Sequence, residues 1–153
     1  MTAPAELIAR FEANADMIVR VFGGIPEDRL REERVPGKWS AHANLAHLGQ
    51  FHDVIHARFH RMLHEDAPTF ARMVPHEHPD TQVWIDKPSA VMLADFTARR
   101  RELCAWLRVL TPEQWDRQGT HAAFGTMTMT QWLEFYLQHE GHHVYTALVR
   151  ART

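Results

Sequence analysis

The sequence predicts an all-α fold, a four-helix bundle, on three observations. Four segments carry apolar residues at helical spacing. Capping residues, glycines or prolines bound them, and no segment alternates convincingly as a strand. At 153 residues the chain reads as one domain over 1–153, long enough to bury a core without disulfide staples.

The first helix is expected from about Ala5 to Phe22, with Leu7, Phe11, Ile18 and Phe22 on one face. Gly23-Gly24 and then Pro26 stop it. The second opens near Ser40 and runs to about His64, with Leu48, Phe51, Ile55, Phe59 and Met62 as its apolar stripe. The third follows Pro88-Ser89 and carries Met92, Phe96, Leu103, Trp106 and Leu110 until Thr111-Pro112. The fourth starts near Thr130, after a stretch rich in threonine and methionine, and reaches about Arg150. The Glu65–Lys87 link is long enough to cross a bundle whose helices are about 36 Å long. It lets the third helix run parallel to the second, so an up-down-down-up arrangement is expected over simple alternation.

Composition narrows the function. A formal charge of -2 gives no reason to expect nucleic acid or an anionic membrane as partner. The single Cys104 excludes an intramolecular disulfide and fits a reducing, cytoplasmic setting. No basic-then-apolar leader opens the sequence, and no run approaches the roughly 18 apolar residues of a membrane span. Histidine is the outlier, with 12 copies.

His139-Glu140-Gly141-His142-His143 lies in the last helix. His139 and His143, four apart, point to one side and suit a single transition metal. With Trp132 and Tyr136 they form a stripe beside the core, whereas His142 points away. Glu140 falls within the core-facing arc. It reads either as a residue reaching solvent at an edge, or as a hydrogen-bond acceptor or general base beside the metal. The pattern also matches the HExxH of zinc proteases, but Val144–Thr153 hold no further His, Asp, Glu or Cys to complete that site.

The second helix offers His42, His47, His52, His56, His60 and His64. His47 and His52 flank opposite sides of its apolar face, and geometry alone does not choose between them as a third ligand. His52, His56, His60 and His64 drift toward solvent as a polar stripe. His76, His78 and His121 fall in links and read as surface residues. Trp39, Trp84, Phe124 and Trp132 read as core or as pocket wall, Cys104 as a small core residue, and Arg99, Arg100 and Arg101 as a solvated face.

Two segments resemble the DinB/YfiT-like family of metal-binding four-helix bundles. Pro36-Gly37-Lys38-Trp39-Ser40 followed by Leu45-Ala46-His47-Leu48 is similar to the family's "WS … HL" start of helix two. Gly125-Thr126-Met127-Thr128, Trp132-Leu133 and the His139–His143 run are similar to its last helix. The resemblance implies His47, His139 and His143 as metal ligands, one divalent ion (often nickel or zinc), an up-down-down-up bundle and a homodimer. Characterised members include transferases and isomerases that use bacterial low-molecular-weight thiols. A metal-dependent thiol S-transferase, acting on a small-molecule thiol and an electrophilic substrate, is therefore the leading expectation. Hydrolysis with Glu140 as proton acceptor is the alternative, and a non-catalytic metal-binding or stress-response protein the third.

Overall fold

The structure, a computed structural model, describes residues 3–152; Met1, Thr2 and Thr153, which the one-domain and leader readings include, lie outside them. Four long helices form the bundle: α1 (Pro4–Phe22), α3 (Ala41–His64), α5 (Ser89–Arg108) and α7 (Met129–Arg152). Three shorter ones, α2 (Glu27–Arg31), α4 (Pro79–Asp86) and α6 (Pro112–Trp115), occupy the links. Local chemistry explains the boundaries. Ser40 caps α3 by accepting from the Ala43 N–H, and Pro4 begins α1 where its missing N–H costs nothing.

Helix α1 packs on α5 and α7, and α3 packs on the same two from the other side. The core divides into two apolar clusters. One joins Leu7 and Phe11 of α1 with Phe59 and Met62 of α3, Leu107 of α5, and Met129 and Trp132 of α7. The other joins Ile18 and Phe22 of α1 with Leu45 of α3, Met92 and Phe96 of α5, and Ala147 and Ala151 of α7. The N-terminal halves of α1 and α7 thus meet the C-terminal halves of α3 and α5. Helices α1 and α7 run one way, and α3 and α5 the other.

The links hold structure that periodicity did not reveal. Strands β1 (Thr69–Phe70), β2 (Gln118–His121) and β3 (Gly125–Thr128) form a small sheet in the order β1-β2-β3. Strand β2 pairs antiparallel with β3 and parallel with β1. Strands of two and four residues are too short to show a period of two, so the expectation of no strand fails here. Gly119 is required where the sheet meets the core, since a Cβ there would lie 2.6 Å from the Phe70 ring. The Trp132 indole donates to the Gly119 carbonyl at 3.1 Å and ties the hairpin to the first turns of α7. Helix α4 is short, buries only Thr81 and Trp84, and lays Trp84 against Gly49 of α3. No helix among the described residues is long and apolar enough to cross a membrane.

Candidate metal site

Between α3 and α7 the structure brings together His47, His139 and His143. One nitrogen from each lies within 4.8 Å of the others, and no other group of three potential ligands occurs among the described residues. His47 is buried and the other two are half-buried. His47 Nε2 stands 3.3 Å from His139 Nε2. Two imidazole nitrogens about 2.0–2.1 Å from one tetrahedral ion would be roughly 3.3 Å apart. The spacing therefore suits a shared ion.

Protonation suits it too, because only the neutral imidazole offers a lone pair. Burial pushes His47 down to about 3, helped by His143 and His139. It pushes His139 to about 4 and His143 to about 3, in each case with help from neighbouring histidines. All three are neutral near pH 7.

Asn44 fixes which nitrogen of His143 is free. Its Nδ2 donates to the Ser40 carbonyl at 2.9 Å, which turns Oδ1 toward His143. His143 Nδ1–H donates to that oxygen at 2.8 Å, leaving Nε2 as the lone-pair nitrogen. Trp39 lies over His47 and His143, at centroid distances of 5.3 and 6.2 Å, and Phe51 lies 4.4 Å from the His139 ring. These rings pack against the imidazoles of the cluster.

A family model described as the DinB superfamily matches residues 10–147. The chain belongs to the DinB superfamily. Among solved structures it is similar to YfiT from Bacillus subtilis, described as "a probable metal-dependent hydrolase with an unusual four-helix bundle topology". The match has a TM-score of 0.77 and 22% identity, over 97% of this chain and 86% of that one. At that identity the likeness shows the fold. No match was found among the curated proteins.

In this DinB-superfamily chain the remaining candidates separate clearly. His52, expected to drift toward solvent, is buried. Its Nδ1–H donates to the Gly49 carbonyl at 2.9 Å and its Nε2 accepts from Arg100 Nε at 2.8 Å. Arg100, expected on a solvated face, is 1% exposed. It donates to the Phe11 carbonyl and to the Glu140 carboxylate, and its guanidinium stacks 3.5 Å from the Phe11 ring centroid. Glu140 also accepts from Asn14 Nδ2 at 3.0 Å. It is thus neither at a wet edge nor beside the three histidines, because the buried arginine claims it.

His42 bridges α3 to Ser89 Oγ and the Ile85 carbonyl, at 2.8 and 2.9 Å. His121, expected on the surface, is buried against Phe124 and Trp132. His56, His60 and His64 are exposed, as is His142. Trp84 and Trp132 are core, Phe124 is exposed, and Trp39 alone of the four aromatic candidates borders the histidine cluster. Cys104 is fully buried, and burial raises its thiol to about 11.

Asn44 and Arg100 were missed, and only Asn44 left a signal. At 100° per residue Arg99, not Arg100, lies nearest the middle of the stripe from Met92 to Leu110, so spacing does not single out Arg100. Asn44 precedes His47 by three, a polar residue on the face that carries that histidine.

Proposed function

We propose that this protein is a metal-dependent enzyme of the low-molecular-weight-thiol S-transferase type. His47, His139 and His143 hold one divalent transition-metal ion, nickel or zinc. The observation that carries this reading is the convergence of three neutral imidazoles from two helices, with no carboxylate or thiolate among them. Such a set leaves coordination positions free and the ion's charge uncompensated. When bound, the ion supplies Lewis acidity, which lowers the pKa of a coordinated thiol or water.

The chain's own residues do the rest. Asn44 holds His143 in one tautomer, and Trp39 and Phe51 pack against the imidazoles. Glu140 is engaged by Arg100 and Asn14 and is no proton acceptor for a substrate. Cys104, buried with a raised pKa, is no nucleophile. Both facts favour a reaction whose nucleophile arrives as a small-molecule thiol and needs no side-chain base. The electrophile is the second substrate. A homodimer and a cytoplasmic setting, where such thiols are reduced, complete the proposal.

Hydrolysis is the second reading, favoured by the description of YfiT, and it needs a proton acceptor other than Glu140. The test is metal content by mass spectrometry on untagged protein, with His47→Ala and His143→Ala alongside. About one ion per chain, lost in both variants, is expected. Thiol-dependent consumption of an electrophile then supports transfer, and ester turnover without thiol supports hydrolysis. Metal unchanged in both variants would refute the site.

A further inference from the structure

The face of α3 that carries His47 does not end there. At about 100° per residue, Val54 and Arg58 lie within roughly 20° of His47, and Gln50 about 60° to one side. A cavity of about 610 Å³ opens on that side, between α3 and the segment from Phe70 to Asp80. That is the size of a small-molecule site. Its middle is apolar, walled by Val54, Phe70 and Met73.

One group in its wall lacks a counter-ion and another lacks any hydrogen-bond partner. Arg58 is half-buried, donates to the Ala71 carbonyl at 3.3 Å, lies 5.5 Å from the Phe70 ring centroid and interacts with the Tyr136 hydroxyl, but has no carboxylate partner among the described residues. Arg61 beside it differs, being held by Glu65 at 2.7 Å. Gln50 is 1% exposed, and neither its Oε1 nor its Nε2 has a hydrogen-bond partner. An amide buried without partners costs free energy that a polar ligand atom would recover. The lining also holds the acids Asp53, Glu77 and Asp80, none of which pairs with Arg58. Asp53 faces Arg99 and Asp80 faces His78, each at 3.9 Å.

The Gln50 end of the cavity lies nearer His47 along α3 than the Arg58 end does. Along the α3 axis the order is His47, Gln50 about 4.5 Å further, then Val54, then Arg58 about 16 Å from His47. A helical side chain leans toward the N-terminus, so the guanidinium sits closer than its Cα does.

We propose that this cavity binds a small carboxylic acid, its carboxylate on Arg58, its apolar chain along Val54 and Met73, and a hydroxyl or carbonyl against Gln50. The metal reading decides only which end reacts: the polar end by Gln50 is the one next to His47. The carboxylate subsite itself needs no ion.

The experiment uses metal-free and metal-loaded full-length protein. Straight-chain monocarboxylic acids of about four to ten carbons, their primary alcohols and their ω-hydroxy acids are titrated by calorimetry, with amide shifts followed by NMR. In the wild type at least one acid should bind ten-fold or more tighter than its alcohol, with shifts centred on Val54, Arg58 and Met73. Arg58→Met should abolish the preference, Arg58→Lys should keep most of it, and Gln50→Leu should erase any gain of the ω-hydroxy acid over the plain acid. No preference in the wild type, shifts centred elsewhere, or a preference surviving Arg58→Met would overturn the proposal. His143→Ala separates the two readings. Acid binding that persists when metal is lost supports the subsite, and acid binding absent from metal-replete protein overturns the subsite and leaves the metal site standing.

Discussion

Replacing Arg100 by Met is the sharpest test of how the bundle is held. The substitution keeps an apolar stem against Phe11 and Phe96 but removes a guanidinium that donates to Glu140, His52 and the Phe11 carbonyl. Glu140 then keeps only the Asn14 bond, at 3.0 Å, in a site 3% exposed. Removing one member of a buried pair leaves an uncompensated charge and costs about 3–5 kcal/mol. For a chain of this length that lowers Tm by roughly 6–20 °C. In Arg100→Met/Glu140→Leu the stranded charge disappears, and most of the loss should be recovered, short of the bonds that His52 and Asn14 still lack. Urea unfolding of the wild type, both single variants and the double variant gives the coupling directly. A single variant within about 1 kcal/mol of wild type, or a double variant as unstable as the two losses added, would refute the reasoning.

Three further outcomes are expected. Asn44→Ala should weaken metal binding about 10–100-fold by freeing the His143 ring, read by competition with a chromophoric chelator; unchanged affinity would remove Asn44 from the site. Gly49→Ala should cost about 1–3 kcal/mol in thermal unfolding, because the added Cβ runs into the Trp84 ring; a variant as stable as wild type would mean that α4 yields. The metal-free protein should lose stability in acid. His52 is held well below its ordinary value by burial and then by Arg100, and His42 is lowered by burial. Both stay neutral when folded, whereas the unfolded chain binds protons at about pH 6.5. Their contribution is full above that pH and is lost as pH falls through it, by up to about 1.4 kcal/mol per unit for each histidine. A urea midpoint equal at pH 7.5 and 5.5 would contradict this.

The long helices were legible because each had both a stripe and punctuation, as with Ser40 before α3 and Gly23 after α1. The histidine pair of α7 was legible for a similar reason, since a spacing of four fixes two side chains on one side of one helix. The choice between His47 and His52 was not, because both border the apolar face and only the packing of α7 on one flank and α5 on the other separates them. Glu140 and Arg100 were opaque as a pair. Glu140 looks misplaced on its own helix and Arg100 looks solvated on its own, and the complementarity exists only once α5 and α7 face each other across the core. The sheet was hidden by brevity: β1 holds two residues and pairs with β2 across 51 positions, and the β2–β3 hairpin has strands of only four.

The placement of that charge pair has a consequence for how α7 is seated lengthwise. His139 and His143 are one helical turn apart, so a slide of α7 by about 5.4 Å would bring one imidazole to the height vacated by the other. The histidine doublet is therefore a poor ruler along its own axis. Glu140 has no twin one turn away: Tyr136 stands on one side of it and Val144 on the other. A slipped helix would set one of those against a buried guanidinium. The carboxylate thus acts as a single notch, giving α7 one axial stop and so deciding that both histidines, rather than one, arrive level with His47.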